Sequence, residues 1–264
     1  MSGLLLQYRR ALDDLDLSRP LETWPEPLLI RRDRDWAAYY APFDHINSNA
    51  HVVLVGITPG LQQAGNALQA LQSALRDGRQ VTEALEMAKR FASFSGSMRK
   101  SLVALLDSIG LHGVVGVESC TELFAEKSQI VHYTSALRYP VTFKGKNYSG
   151  SPALLRHEFT KQELMRWLPE EAAALPRAIY VPLGGSACDA MDHLVSHGIL
   201  RRDQILAGLP HPSAANAERI SYFLGRKARD ALSVKTDPDK LDAARCAAMF
   251  KVDNMRLERK GSEA

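Results

Sequence analysis

The run Val52-Val53-Leu54-Val55 halts abruptly at Gly56-Ile57-Thr58-Pro59-Gly60. Four consecutive apolar residues before two glycines and a proline describe a strand buried on both faces, cut off where the backbone must turn sharply. Leu61, Ala64, Leu68, Leu71 and Leu75 then recur at helical spacing until Gly78. Strand, tight turn and helix in that order form the unit that puts a ligand at the carboxyl end of a strand in open parallel sheets.

Similar runs recur at 130–136, at 178–183 before Gly184-Gly185, and at 205–209 before Pro210-His211-Pro212-Ser213. The expectation is an α/β fold with a central four-stranded parallel sheet flanked by helices, its functional residues along one sheet edge. At 264 residues, 45% of them hydrophobic, the chain is long enough for one large domain; a two-domain split stays open, with no obvious linker to mark it. A net charge of +3 and a pI near 8.7 permit nucleic-acid binding without requiring it. Cys120, Cys188 and Cys246 are too widely spaced for a disulfide framework or a CxxC metal site, so a reduced, cytoplasmic protein is expected. No apolar run approaches the roughly 20 residues that span a bilayer, and no membrane partner is expected.

Other segments read as connections. Residues 4–17 have the spacing of an amphipathic helix, and Arg31-Arg32-Asp33-Arg34-Asp35 reads as a solvated mixed-charge face. Helices are expected over 82–94, over 99–109 with Gly110 as C-cap, from the capping-box pattern Thr160-Lys-Gln-Glu163 to Leu168, over 186–197, over 217–232, and from Pro238 to about Arg259. After the second strand comes a loop in which Arg138, Lys144 and Lys146 alternate with Tyr139, Phe143 and Tyr148. Basic residues interleaved with aromatics suit phosphates beside stacked bases; an ordinary surface loop reads equally well.

Taken in order, the motifs resemble the uracil-DNA glycosylase superfamily. Gly56-Ile57-Thr58-Pro59-Gly60 is similar to its first motif and His211-Pro212-Ser213-Ala214-Ala215-Asn216 to its last. Between them, the segment 94–110 resembles one that lines the base pocket, 131–138 the central strand whose end reads the base edge, and Val181-Pro182-Leu183-Gly184 the third strand. The resemblance covers about 52–217; residues 1–50 and 218–264 lie outside it and would pack on that core as parts of one domain.

The resemblance implies a three-layer sandwich and a monomeric enzyme that binds DNA, flips a base into a pocket and hydrolyses its N-glycosidic bond without cofactor or metal. His211 would donate a hydrogen bond to the base as negative charge builds there. Gly56, Ile57, Pro59, Gly60, Gln63, Phe94, Ser95, Gly96, Ser135 and Asn147 would line the pocket, and Arg138, Lys144, Lys146, Tyr148, Ser213 and Arg219 would contact DNA. Well-known branches carry Asp or Asn where this chain has Thr58, which is either a water-holding hydroxyl or a helix cap. Water positioning would then pass to Gln62 or Gln63, to Asn147, or to Asn216, which a hypoxanthine-excising branch shares. Neither terminal motif contains a lysine, so no Schiff-base nucleophile is at hand and the enzyme would be monofunctional. Uracil is the default substrate, hypoxanthine is suggested by Asn216, and small residues such as Ser95, Ser97 and Thr134 would suit a bulky modified pyrimidine of phage DNA, excised in defence. Two other classes remain open: a catalytically silent DNA-binding homologue, and an α/β ligand-binding protein unrelated to glycosylases.

Overall fold

The computed structural model describes residues 3–263. In chain order, α1 (Gly3–Asp13) leads to β1 (Leu29–Asp33) and β2 (Trp36–Tyr39), and the apolar run forms β3 (Val52–Gly56). Then follow α2 (Leu61–Arg76), α3 (Val81–Ala92), α4 (Ser97–Ser108), the short α5 (Leu111–Val115), β4 (Val131–Ser135), β5 (Val141–Phe143) and β6 (Lys146–Asn147). Last come α6 (Glu158–Ala174), β7 (Ile179–Pro182), α7 (Gly185–Ser196), α8 (Ala217–Phe223) and α9 (Pro238–Glu263). The protein is α/β, and these elements fall into two compact units interleaved along the sequence: residues up to Ser48, Gly56–Ser93 and Tyr133–Pro176, and residues Asn49–Val55, Phe94–His132 and Arg177 onward.

In the first unit, α1 buries Leu5, Tyr8 and Leu12 against Leu68 and Leu71 of α2 and Leu85 of α3. Small residues on the facing sides, Ala74 of α2 with Ala84 and Ala88 of α3, bring these helices close. Each such leucine contributes about 1.5–3 kcal/mol by leaving water. The same unit holds a four-stranded antiparallel sheet in the order β1-β2-β5-β6. The mixed-charge run at 31–35 is β1 and its turn, exposed from Arg32 to Asp35 as expected of a solvated face. The sheet corrects one reading: the basic, aromatic loop is a β-hairpin turning at Lys144-Gly145. Trp36 organises it, with the rings of Phe143, Tyr148 and His157 at centroid distances of 4.6, 5.1 and 5.0 Å.

Helix α6 begins earlier than the capping-box pattern suggests and runs through Pro169. His157 is its N-cap, its Nδ1 accepting from Phe159 N–H at 3.2 Å, while the Thr160 hydroxyl turns back to Leu154 O and His157 O.

The other sheet is parallel, in the order β4-β3-β7, with β3 and β7 in register from Val52↔Ile179 to Val55↔Pro182. The expected fourth strand is reduced to two isolated parallel bridges, Tyr180↔Ile205 and Leu183↔Leu209. Gly208 between them is the reason: its φ is +113°, and a Cβ there would meet Ala244 O of α9 at 2.7 Å. Backbone shaped for that close approach cannot continue a ladder. The expected helix over 217–232 also stops early, at Phe223, because Glu218 gathers the following loop, accepting from Lys227 Nζ at 2.7 Å, Ser233 Oγ at 2.6 Å and Thr236 Oγ1 at 2.5 Å. Those donors hold its carboxyl far below the ordinary range.

Candidate active site

The turn after β3 is built by its neighbours in the first unit. Ala136 N–H and Leu137 N–H donate to Gly56 O and Ile57 O, both at 2.9 Å, so the chain leaving β4 clamps the turn's first two carbonyls. The Thr58 hydroxyl donates to Tyr139 O and accepts from Val141 N–H, both at 3.0 Å. It therefore pins the turn to the entrance of β5 rather than capping α2. Its one proton and one of its two acceptor sites are used in doing so.

The start of α2 is capped from two directions. Gln63 Oε1 accepts from Gly60 N–H at 3.2 Å, and Asn147 Oδ1, from β6, accepts from Leu61 N–H at 3.3 Å. These are two of the four N–H groups that a helix start leaves without intrahelical partners. A Cβ on Gly60 would come 3.3 Å from Asn147 Nδ2, so the absent side chain gives the hairpin room to reach the helix. Gln63 and Asn147, expected in the pocket or at the water, act as caps, while Gln62 is exposed. Pro59 is buried and Ser135 half-buried at the end of β4. The neighbouring Thr134 is 7% exposed and its hydroxyl has no hydrogen-bond partner.

The expected DNA contacts in this unit divide. Lys144 and Lys146 are exposed at the hairpin tip. Arg138 is 4% exposed, with Nε 2.5 Å from Glu171, Nη1 3.0 Å from Glu170 and Nη2 donating to Trp167 O at 3.0 Å. Tyr148 is buried beside Trp36 and its hydroxyl donates to Pro152 O at 2.5 Å. Neither faces solvent, which corrects their expected role. Sequence alternation could not separate exposed cations from the one that neutralises two glutamates.

The second unit carries the His-Pro-Ser segment. Ser213 N–H donates to His211 Nδ1 at 3.3 Å, which leaves the ring proton on Nε2. Burial pushes the imidazole below its ordinary pKa, so at neutral pH it is an uncharged ring with one N–H to give. Gly184, absent from the expected site residues, makes room for it: its φ is +83°, a Cβ would lie 2.9 Å from His211 Cβ, and its N–H donates to Leu209 O at 3.0 Å. The sequence signal was there in the Gly184-Gly185 pair, but its partner is 27 residues away and only the fold supplies it.

Asn216 is tied to its neighbours. Its Nδ2 donates to Ser213 Oγ at 3.2 Å and its Oδ1 accepts from Arg219 Nη1 at 2.9 Å. Arg219 also donates to Lys235 O at 3.2 Å, so its guanidinium is held by the protein although exposed. Asn216 is therefore a brace between Ser213 and Arg219, with one N–H and one acceptor site of its amide used in this way. Phe94 is 5% exposed with φ +50°, a left-handed conformation costly for a bulky residue. Ser95 is half-buried, and exposed Gly96 opens α4.

Over 205 residues the chain is 33% identical to the uncharacterized protein YoxB of Bacillus subtilis (strain 168), a match spanning 76% of this chain and 80% of that protein. The chain belongs to the YoxB family. No protein-family model matches it, and no solved structure matches it. Among the described residues of this YoxB-family chain, no group of three or more His, Cys, Asp or Glu could hold a metal ion, and no helix is long and apolar enough to cross a membrane.

Proposed function

We propose that the chain is a monofunctional DNA glycosylase of the uracil-DNA glycosylase type, built on that superfamily's three-layer sandwich and acting as a monomer on DNA in the cytoplasm. His211 carries the reading. A neutral imidazole whose Nδ1 is already engaged by Ser213 N–H has its Nε2–H pre-aimed, and a donor of this kind stabilises an oxygen on which negative charge develops. In glycosidic cleavage that oxygen belongs to the departing base, and a neutral donor shares its charge without first being deprotonated. Lys144 and Lys146 at the hairpin tip would meet phosphates.

The test is a panel of single strands and duplexes carrying uracil, hypoxanthine or modified cytosines, incubated with the protein and then with alkali to break abasic sites. Breaks from the wild type that disappear with His211→Ala are the expected result, and the base that gives them identifies the substrate, including any phage-type modification. A second reading, a DNA-binding homologue without catalysis, is favoured by Thr58 and Asn216, both committed to protein contacts. Tight binding to the whole panel with no breaks anywhere would select it. In either case, replacing Lys144 and Lys146 should lower affinity and flatten its salt dependence; an unchanged slope would return the hairpin tip to ordinary surface.

A further inference from the structure

The loop 232–236, just before α9, is held against the start of α8 although it has little apolar surface to bury. Of its residues only Thr236 is buried, and Val234 stands fully in solvent. Polar bonds hold it instead. Glu218 Oε1 accepts from Lys227 Nζ at 2.7 Å and from Ser233 N–H at 3.1 Å, and its Oε2 accepts from Ser233 Oγ at 2.6 Å and Thr236 Oγ1 at 2.5 Å. Thr236 N–H closes the loop by donating to Ser233 O at 3.0 Å. Arg219, the next residue of α8, donates through Nη2 to Lys235 O at 3.2 Å. Hydrogen bonds with a charged partner are the stronger kind, so two successive residues of α8 grip the same loop firmly.

From this grip an unbroken path of hydrogen bonds runs to His211, all of it within the second unit. Arg219 Nη1 donates to Asn216 Oδ1 at 2.9 Å, Asn216 Nδ2 to Ser213 Oγ at 3.2 Å, and Ser213 N–H to His211 Nδ1 at 3.3 Å. Asn216 N–H also donates to Ser213 O at 2.9 Å, closing the turn Ala214–Asn216. Ser213 is the N-cap of that turn without a side-chain cap bond, which leaves its hydroxyl to the Asn216 amide. The bond that keeps the ring proton on Nε2 is also the longest of the path. At 3.3 Å it is weak, and it lasts only as long as Ser213 is kept in place.

We propose that Arg219 is a positioning residue for His211: anchored on Lys235 O, in a loop that Glu218 fixes, it holds Asn216 and Ser213 so that the imidazole keeps its Nε2–H form and presents it to the departing base. The segment 217–236 would then serve the site, although it lies beyond the last of the sequence motifs. The catalytic consequence rests on the glycosylase reading, whereas the tautomer of the ring is set by the path whatever the reaction. A guanidinium suits this task because its planar fork reaches two acceptors in fixed geometry, which the single ammonium of a lysine does not reproduce. A phosphate contact, by contrast, needs mainly the charge. Replacement by lysine therefore separates the two roles.

Nitrogen-15 NMR of the full-length protein at about pH 8, above the ordinary histidine pKa of about 6.5, reads the tautomer of each imidazole. The His211 signals are picked out from those of the eight histidines by their loss in His211→Gln. The wild type should show the Nε2–H form. Arg219→Ala and Arg219→Lys should both bring in the Nδ1–H form, and Glu218→Gln should do so to a smaller extent. On the substrate that the wild type cleaves, single-turnover excision should fall about tenfold or more in both Arg219 variants, while the DNA Kd of Arg219→Lys stays within about twofold of the wild type. An unchanged His211 tautomer in both Arg219 variants overturns the proposal. So does full recovery of tautomer and rate in Arg219→Lys, which would make Arg219 a charge contact to DNA. If Arg219→Ala does not fold, Arg219→Lys and Glu218→Gln carry the same test. A wild type that cleaves nothing ends the glycosylase reading alone, and the tautomer comparison still decides whether Arg219 positions the ring.

Discussion

The turn after β3 and the His-Pro-Ser segment are both short, proline-bearing and rich in polar side chains, yet they use those side chains differently. In the turn, Thr58, Gln63 and Asn147 all bond to backbone atoms around it. In the His-Pro-Ser segment the structural bonds reach only one nitrogen of the decisive ring: Ser213 N–H takes His211 Nδ1, while Asn216 braces Ser213 and Arg219. A polar residue in a motif has chemistry to offer only in the atoms that the fold has not already employed. By that measure the turn contributes shape and backbone, while His211 keeps one ring nitrogen outside the hydrogen bond to Ser213.

The comparison breaks most readily at His211. If the glycosylase reading holds, His211→Ala should lower base excision by about a hundredfold or more, the loss of a well-placed donor to developing charge, while the unfolding midpoint changes little. Comparable single-turnover rates for variant and wild type would move the chemistry elsewhere. Gly184→Ala tests the ring's placement: strain at a left-handed φ costs about 1–3 kcal/mol, and the added Cβ pushes on His211, so both the urea midpoint and the excision rate should fall.

Thr58→Val should behave in the opposite sense to His211→Ala. It leaves Val141 N–H and Tyr139 O without their partner, a loss of about 1–3 kcal/mol in chemical denaturation, and Thr58→Ser should restore most of it. A Thr58→Val protein of native stability with abolished excision would return the residue to catalysis. Asn216→Ala should cost less, about 0.5–1.5 kcal/mol, since it sits at a half-buried surface and only loosens Arg219.

The smallest effect is in pH. The His211 pKa is depressed in the fold by burial, so between its folded and unfolded values the unfolded chain binds more protons. Stability should therefore rise with pH through that window and be fully present above about 6.5, the ordinary value for histidine. As pH falls below it, stability is lost until the folded-state value is passed. His211→Gln should flatten that slope, and an unchanged slope would show that another group sets it.

Much of the backbone was legible. The apolar run at 52–55, the helical spacing from Leu61, the C-capping Gly110 and the helix after Gly184 gave β3, α2, α4 and α7 nearly at their observed bounds, because burial on both faces and regular periodicity are local signals. The antiparallel sheet was not legible. Its strands are two to five residues long, too short for an alternation to show, and they exist because Trp36 gathers aromatic residues from distant segments. The helix expected over 217–232 likewise ends early, where Glu218 draws a loop back on itself.

At the candidate site the sequence alone determined which residue types stand at the strand ends: glycine and proline where the chain must turn, and a histidine between two prolines. Tertiary structure alone decided which of their polar atoms remain free. Arg138 became a buried counter-ion, Thr58 a backbone clasp and Asn216 a brace because their partners, Glu171, Tyr139 and Arg219, reach them through the folded chain. Hydrogen-bond capacity is finite, and its allocation is a property of neighbours in space, which periodicity and spacing along a sequence do not encode.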